Sequence, residues 1–301
     1  MAFNERATKL SKILLTFNPA SDKICDTVSA RITKGECHLN IDKLHTIFAN
    51  YIRKFDIIND TNHDENCKWR LAAQFRALMD PDKPDFIAGM KKARAISEML
   101  IDGQKKFCFG ALVTCAEKDE NAVRDLFRDL FADDGGSLIL RQRKIDAFCS
   151  QANALTEKLH TSNAMFMNDQ RSAMAYLFFQ DPEHHYLYRA QKAKAFADAV
   201  GFQDSWGWGK SFKMDVYYRM CDELVAEIKK SDLLLKTTKR RYYSASGEPI
   251  DNVHPDKNYH ILAFDIIWGT GIDDPDYNFG NGISWMSLDE MEEIAPPPRN
   301  Q

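Results

Sequence analysis

Ile41-Asp-Lys-Leu44-His-Thr-Ile47-Phe48-Ala-Asn-Tyr51 is the stretch whose reading decides the fold. Its apolar residues fall at i, i+3, i+6, i+7 and i+10, which lays one stripe along an α-helix. A half-buried strand would alternate with a period of two. Asn40, just ahead, is suited to accept the free amides of a first turn. Working outward, the same period predicts helices over 3–17, 64–79, 86–101, 105–115 and 118–132. Val123, Leu126, Phe127 and Leu130 form one face of the last, and Asp133-Asp134-Gly135-Gly136 ends it. A long helix over 137–160 takes its apolar side from Leu138, Ile145, Phe148, Ala152, Leu155 and Leu159, and further helices are expected over 169–180, 189–200, 213–229 and 258–268.

Period-two stretches are nearly absent, and the short apolar run Phe107–Val113 has no clear alternation. The expectation is an all-α protein, an irregular multi-helix bundle of about ten or more helices. Two helical subdomains, 1–133 and 137–295, are expected either side of Asp133–Gly136, with a flexible tail at 296–301 after the proline run. Asp80–Asp85 reads as a proline-rich hinge, Ser244–Lys257 as a polar loop, and Gly269–Trp285 as irregular.

The composition narrows the class of function. At 301 residues the chain is long enough to bury a substantial core, and 44% hydrophobic with 28% charged residues excludes disorder outside the tail. The net charge of −4 gives no global attraction to nucleic acid or acidic membranes, so such binding needs a local basic patch. No apolar stretch reaches the ~18 residues that a membrane span requires. MAFNERATKLSKILLTF lacks a long apolar region and a cleavage site, and the seven cysteines are scattered without CxxC spacing. A cytoplasmic chain with reduced thiols and no membrane partner is expected.

Motifs with specific chemistry are weak. Asp204-Ser-Trp-Gly-Trp-Gly209-Lys210-Ser211 approaches a P-loop, but Asp204 stands where the first glycine must fold around phosphates, so a loop between helices is the better reading. His63 and Cys67, with Cys37 and His38 nearby in sequence, have ligand chemistry for zinc but no second tightly spaced pair. Asp215 or Asp222 with Glu227 and Lys229 resembles a nuclease set, yet these fall on an amphipathic helix and read as a solvated face. No GxSxG motif, activated cysteine or cofactor motif occurs, so no cofactor is expected.

Two clusters remain as binding candidates. At 181–189 a Pro-containing turn gathers His184, His185, Tyr186, Tyr188 and Arg189, which could stack on bases or hold an anion, or could cover a helix junction. At 236–243, Lys236, Lys239, Arg240 and Arg241 stand beside Tyr242, suited to phosphates and stacking, or to complementing a helix C-terminus. Arg141, Arg143 and Lys144 form a lesser third cluster. Asp265, Asp273, Asp274 and Asp276, with His184 or His185, supply the acids that a metal-dependent nuclease would need.

The pieces RDLFRDLF, QRKIDAF, RSAMAYLFFQDPEHHYLYRAQKAKAFA, YYRMCDELV and HILAFDIIW, between about 120 and 268, resemble an uncharacterised bacterial protein family. The element S-A-x-x-Y-L-x-x-x-D-P-E-x-x-Y-x-Y, from Ser172, is also similar to accessory regions of methyl-directed restriction GTPase subunits and related defence proteins. There the motor is a separate AAA+ domain, which has no counterpart in this chain. The resemblance implies a bacterial defence or nucleic-acid setting and names no catalytic residue.

Taken together, the sequence leads to a non-catalytic recognition or adaptor module. Its 181–189 junction and 236–243 patch would form one surface for DNA, RNA or a protein partner such as a motor or nuclease subunit. A metal-dependent nuclease and a purely structural interaction scaffold are the alternatives.

Overall fold

Helices that are apolar on every side must lie inside a bundle, and two of the eleven helices among the described residues of this computed structural model are of that kind. The structure describes residues 38–97, 100–103, 105–161, 163–244, 246–272 and 278–280. In chain order the helices are α1 (Ile41–Ile58), α2 (Cys67–Leu78), α3 (Phe86–Ser97), α4 (Cys108–Lys118), α5 (Glu120–Phe131), α6 (Leu138–Leu159), α7 (Gln170–Gln180), α8 (Ala190–Val200), α9 (Met214–Ile228), α10 (Asp232–Lys239) and α11 (His260–Thr270). Single 3-10 turns occur at Gly209–Ser211 and Arg240–Tyr242. Among the described residues there is no strand, only isolated bridges Gly103–Lys106 and Tyr243–Pro249, so the fold is an all-α multi-helix bundle.

Helix α7 buries every residue from Ser172 to Phe179 and packs on α2, α5 and α6. Its Tyr176 ring gathers Phe109, Phe127 and Phe148 at 5.2–5.7 Å between centroids. Helix α11 is the second hub, buried at Ile261–Ile267 and packed on α1, α8 and α9. Phe178 and Phe264 bring the two hubs together. Helices α5 and α6, on either side of Asp133–Gly136, pack on each other, and buried residues from both belong to one hydrophobic cluster.

Local chemistry sets the helix ends. Asn40 Oδ1 accepts the Lys43 amide at 3.0 Å, as its position before the apolar stripe predicts. Asp119 both ends α4 and caps α5 by accepting the Ala122 amide, so the break expected after 115 falls at one residue. Asp169 and Ser172 form a capping box on α7, and Gly201 closes α8 at φ +72°, a conformation that costs glycine little. At α11 the buried Asp256 carboxylate reaches forward to the Ile261 and Leu262 amides, so the helix starts at His260. Helix α10 has no counterpart in the sequence expectation, because its few buried positions, Leu234, Thr237 and Thr238, make too short a period to read. The helix expected over 3–17 and the tail at 296–301 lie outside the described residues.

A buried charged network joins α1, α2, α11 and the 240–242 turn. Lys68 Nζ donates to Asp265 Oδ1 at 2.5 Å and to Glu65, while Tyr51 OH donates to Asp265 Oδ2 at 2.6 Å. Arg241 donates to Tyr51 OH at 2.6 Å and to Asn66 Oδ1 at 2.9 Å, and its guanidinium lies 3.5 Å from the Trp69 ring centroid. Burial pushes the Lys68 ammonium down, but the Asp265 and Glu65 carboxylates outweigh it and hold its pKa above the usual lysine value. Two cations thus meet two carboxylates inside the bundle. No helix of the described residues is long and apolar enough to cross a membrane.

Candidate functional site

The 181–189 segment leaves α7 through a turn in which the His184 amide donates to Asp181 O and its ring pairs with the Asp181 carboxylate at 2.8 Å. From His185 to Tyr188 the chain is buried. Tyr186 OH donates to Asp222 at 2.7 Å, Tyr217 OH donates to Leu187 O at 2.6 Å, and Trp206 Nε1 donates to Tyr188 OH at 3.1 Å. Tyr186 and Tyr188 are therefore packing residues, with no open ring face for a base. Arg189 donates to Leu100 O and borders a separate cavity of about 200 Å³ with Lys106 and Arg171.

His184 and His185 lie instead on a cleft of about 470 Å³ between the 133–136 turn and the end of α7. Its wall includes Arg76, Phe131, Asp133, Arg141, Gln180 and His185. Arg141 binds Asp134 through two parallel bonds of 2.8 and 3.0 Å and donates its remaining Nη1 to His184 O at 2.9 Å. Burial and the Arg141 charge push the His185 imidazole down to about 3, so its ring is neutral near pH 7. His185 Nδ1 and Gln180 Oε1 are buried without a hydrogen-bond partner.

The basic run divides by burial. Lys236, Lys239 and Arg240 are exposed, Tyr242 is half-buried, and Arg241 is 3% exposed within the charged network. Arg240 is paired with Asp56 at 2.5 Å, whereas Lys236 and Lys239 have no ion-pair partner among the described residues. Lys257 joins them from the following loop, across a small cavity of about 120 Å³ shared with Lys239 and Tyr242. That loop also links the two candidate clusters. Glu183 accepts the Lys257 and Asn258 amides at 2.9 and 2.8 Å, and Tyr242 OH donates to Pro255 O at 3.0 Å. The clusters are thus neighbours across one loop, but they open onto different cavities. Lys257, Arg76 and Gln180 escape sequence reasoning because no local pattern marks them.

The remaining motifs are accounted for by packing. Asp204 is ion-paired with Arg219, and Trp208 beside it is 84% exposed. His63 pairs with Asp60 at 3.0 Å, and burial pushes the Cys67 thiol up to about 11. Asp222 accepts the Tyr186 hydroxyl, and Glu227 pairs with Lys230. Asp265 is bound within the charged network, while Cys37, Asp273, Asp274 and Asp276 lie outside the described residues. Among the described residues no group of three or more His, Cys, Asp or Glu side chains is placed to hold a metal ion. Comparison with protein-family models, curated proteins and solved structures finds no match to this chain.

Proposed function

We propose that this chain is a recognition module without catalytic chemistry of its own, which contacts the phosphate backbone of DNA or RNA through Lys236, Lys239 and Lys257. The observation that carries the reading is that the ammonium groups of these three exposed lysines have no ion-pair partner among the described residues. Tyr243, 48% exposed, stands next to the same surface and offers a ring for stacking. Because the whole chain carries a net charge of −4, binding would be local and strongly salt-dependent. The resemblance of the 172–188 element to accessory regions of restriction GTPase subunits favours a defence setting, with a motor or nuclease subunit as the protein partner.

The test is a Lys236→Glu/Lys239→Glu/Lys257→Glu variant assayed against labelled single- and double-stranded oligonucleotides over a range of salt. Arg241 is left intact because its loss would disturb the core. The reading expects weaker binding at all sequences and a log K against log salt slope reduced by about 2–3, since each lost phosphate contact removes about 0.7–0.9. An unchanged slope and affinity would remove nucleic-acid binding from this surface.

A further inference from the structure

The cleft at the end of α7 has chemistry that the basic surface does not use. On its wall Arg141 and Asp134 cancel in a bidentate pair, and the Asp181 carboxylate is hydrogen-bonded to the His184 ring. Arg76 and Asp133, opposite in charge and both exposed, have no ion-pair partner among the described residues, and Asp181 adds a second carboxylate to the wall. Deeper in, His185 is 8% exposed, and its Nδ1 has no hydrogen-bond partner. Gln180 Oε1, on the same wall, has none either. An unpaired buried polar atom carries a penalty that a ligand donor would relieve. Neither atom is open to solvent, and a turn of the imidazole about χ2 or of the amide about χ3 is the motion that would present it to a ligand.

We infer that this cleft binds a small zwitterion of the free α-amino acid class. Its carboxylate sits on Arg76. Its ammonium lies among Asp133, Gln180 Oε1 and His185, and its apolar side chain rests against Phe131. The neutral imidazole suits this role, because it keeps one acceptor nitrogen that an imidazolium would lack. The volume of about 470 Å³ is in the range of small-molecule sites. Other ligand classes fit less well. A phosphate ester would meet the carboxylates of Asp133 and Asp181 on the same wall, and a simple amine would leave Arg76 with nothing to pair it.

Titration calorimetry and thermal melts of the full chain against the free L-amino acids test the assignment. Each amino acid is run beside its analogue without the amino group and its analogue without the carboxylate. The expected result is that a subset of amino acids binds and raises Tm, and that both analogues bind at least about tenfold more weakly. Arg76→Met, an exposed substitution on α2, should weaken binding by about ten- to a hundredfold, the loss of a charged hydrogen bond. Asp133→Asn should weaken the amino acids but leave the weak binding of their des-amino analogues in place. Lys239→Glu should leave amino-acid binding unchanged, which separates this site from the nucleic-acid reading. The inference is overturned if no free amino acid binds, if either analogue binds equally well, or if Arg76→Met retains wild-type affinity.

Discussion

Replacing Asp265 by Asn is the most direct challenge to the buried network between α1, α2 and α11. Asp265 is 1% exposed, and its two oxygens serve Lys68 and Tyr51, with Arg241 at 4.0 Å. The amide keeps an acceptor for the tyrosine hydroxyl but removes the charge. Lys68, itself 1% exposed, then depends on Glu65 alone. Stranding one partner of a buried ion pair costs about 3–5 kcal/mol, against a total stability of about 5–15 kcal/mol for a folded domain. At about 2–4 °C per kcal/mol for a unit of this size, Tm should fall by roughly 10 °C. The assay is urea and thermal unfolding followed by far-ultraviolet circular dichroism, with Lys68→Met/Asp265→Asn measured alongside. Removing the ammonium as well should recover part of the loss, because a neutral pair no longer carries an unmatched charge. A loss below about 1 kcal/mol in the single variant, or a double variant no better than the single, would refute the argument that charge matching governs this site.

Three further outcomes follow from the geometry. The depressed His185 pKa, about 3 in the folded chain, means that its contribution is intact above the free-histidine value and is lost as pH falls below ~6.5. His185→Phe should flatten the stability profile between about pH 6.5 and 4 by up to 1.4 kcal/mol per pH unit, read from urea midpoints in stepped buffers. Asp256 has the opposite sign: burial lifts its carboxyl to about 6, so its contribution falls as pH rises from ~4 to ~6, and Asp256→Asn should abolish that limb. Gly89→Ala should destabilise by about 1–3 kcal/mol in the same unfolding assay, because the added Cβ would lie 2.1 Å from the Leu78 carbonyl oxygen, a backbone atom that cannot swing aside.

Much of the fold was legible because local period and burial agree. Leu44, Ile47, Phe48 and Tyr51 announce α1, and Val123, Leu126, Phe127 and Leu130 announce α5; all are buried. Helix α10 was hidden because its few buried positions are mostly threonines and its cations suggest a solvated run. Arg241 shows why such runs mislead: its buried partner Tyr51 lies 190 residues earlier, so nothing local distinguishes it from Lys239. The 181–189 segment is conspicuous in the sequence for its histidines and tyrosines. Its tyrosines pack against Tyr217 and Tyr218, with Trp206 donating a hydrogen bond to Tyr188, while the histidines line a cleft with Arg76 and Gln180. That juxtaposition depends on how α2 packs against α7, which no spacing along the chain encodes.

The Lys68–Asp265 pair also has a consequence on the ribosome. The two residues are 197 positions apart, so at about 5–20 residues per second Lys68 precedes its counter-ion by about 10–40 s. During that interval α2 cannot seal its inner face without burying an ammonium that has lost half its compensation. Closing the Trp69 and Phe75 side is therefore disfavoured until the last hub helix, which carries Asp265, has been synthesised.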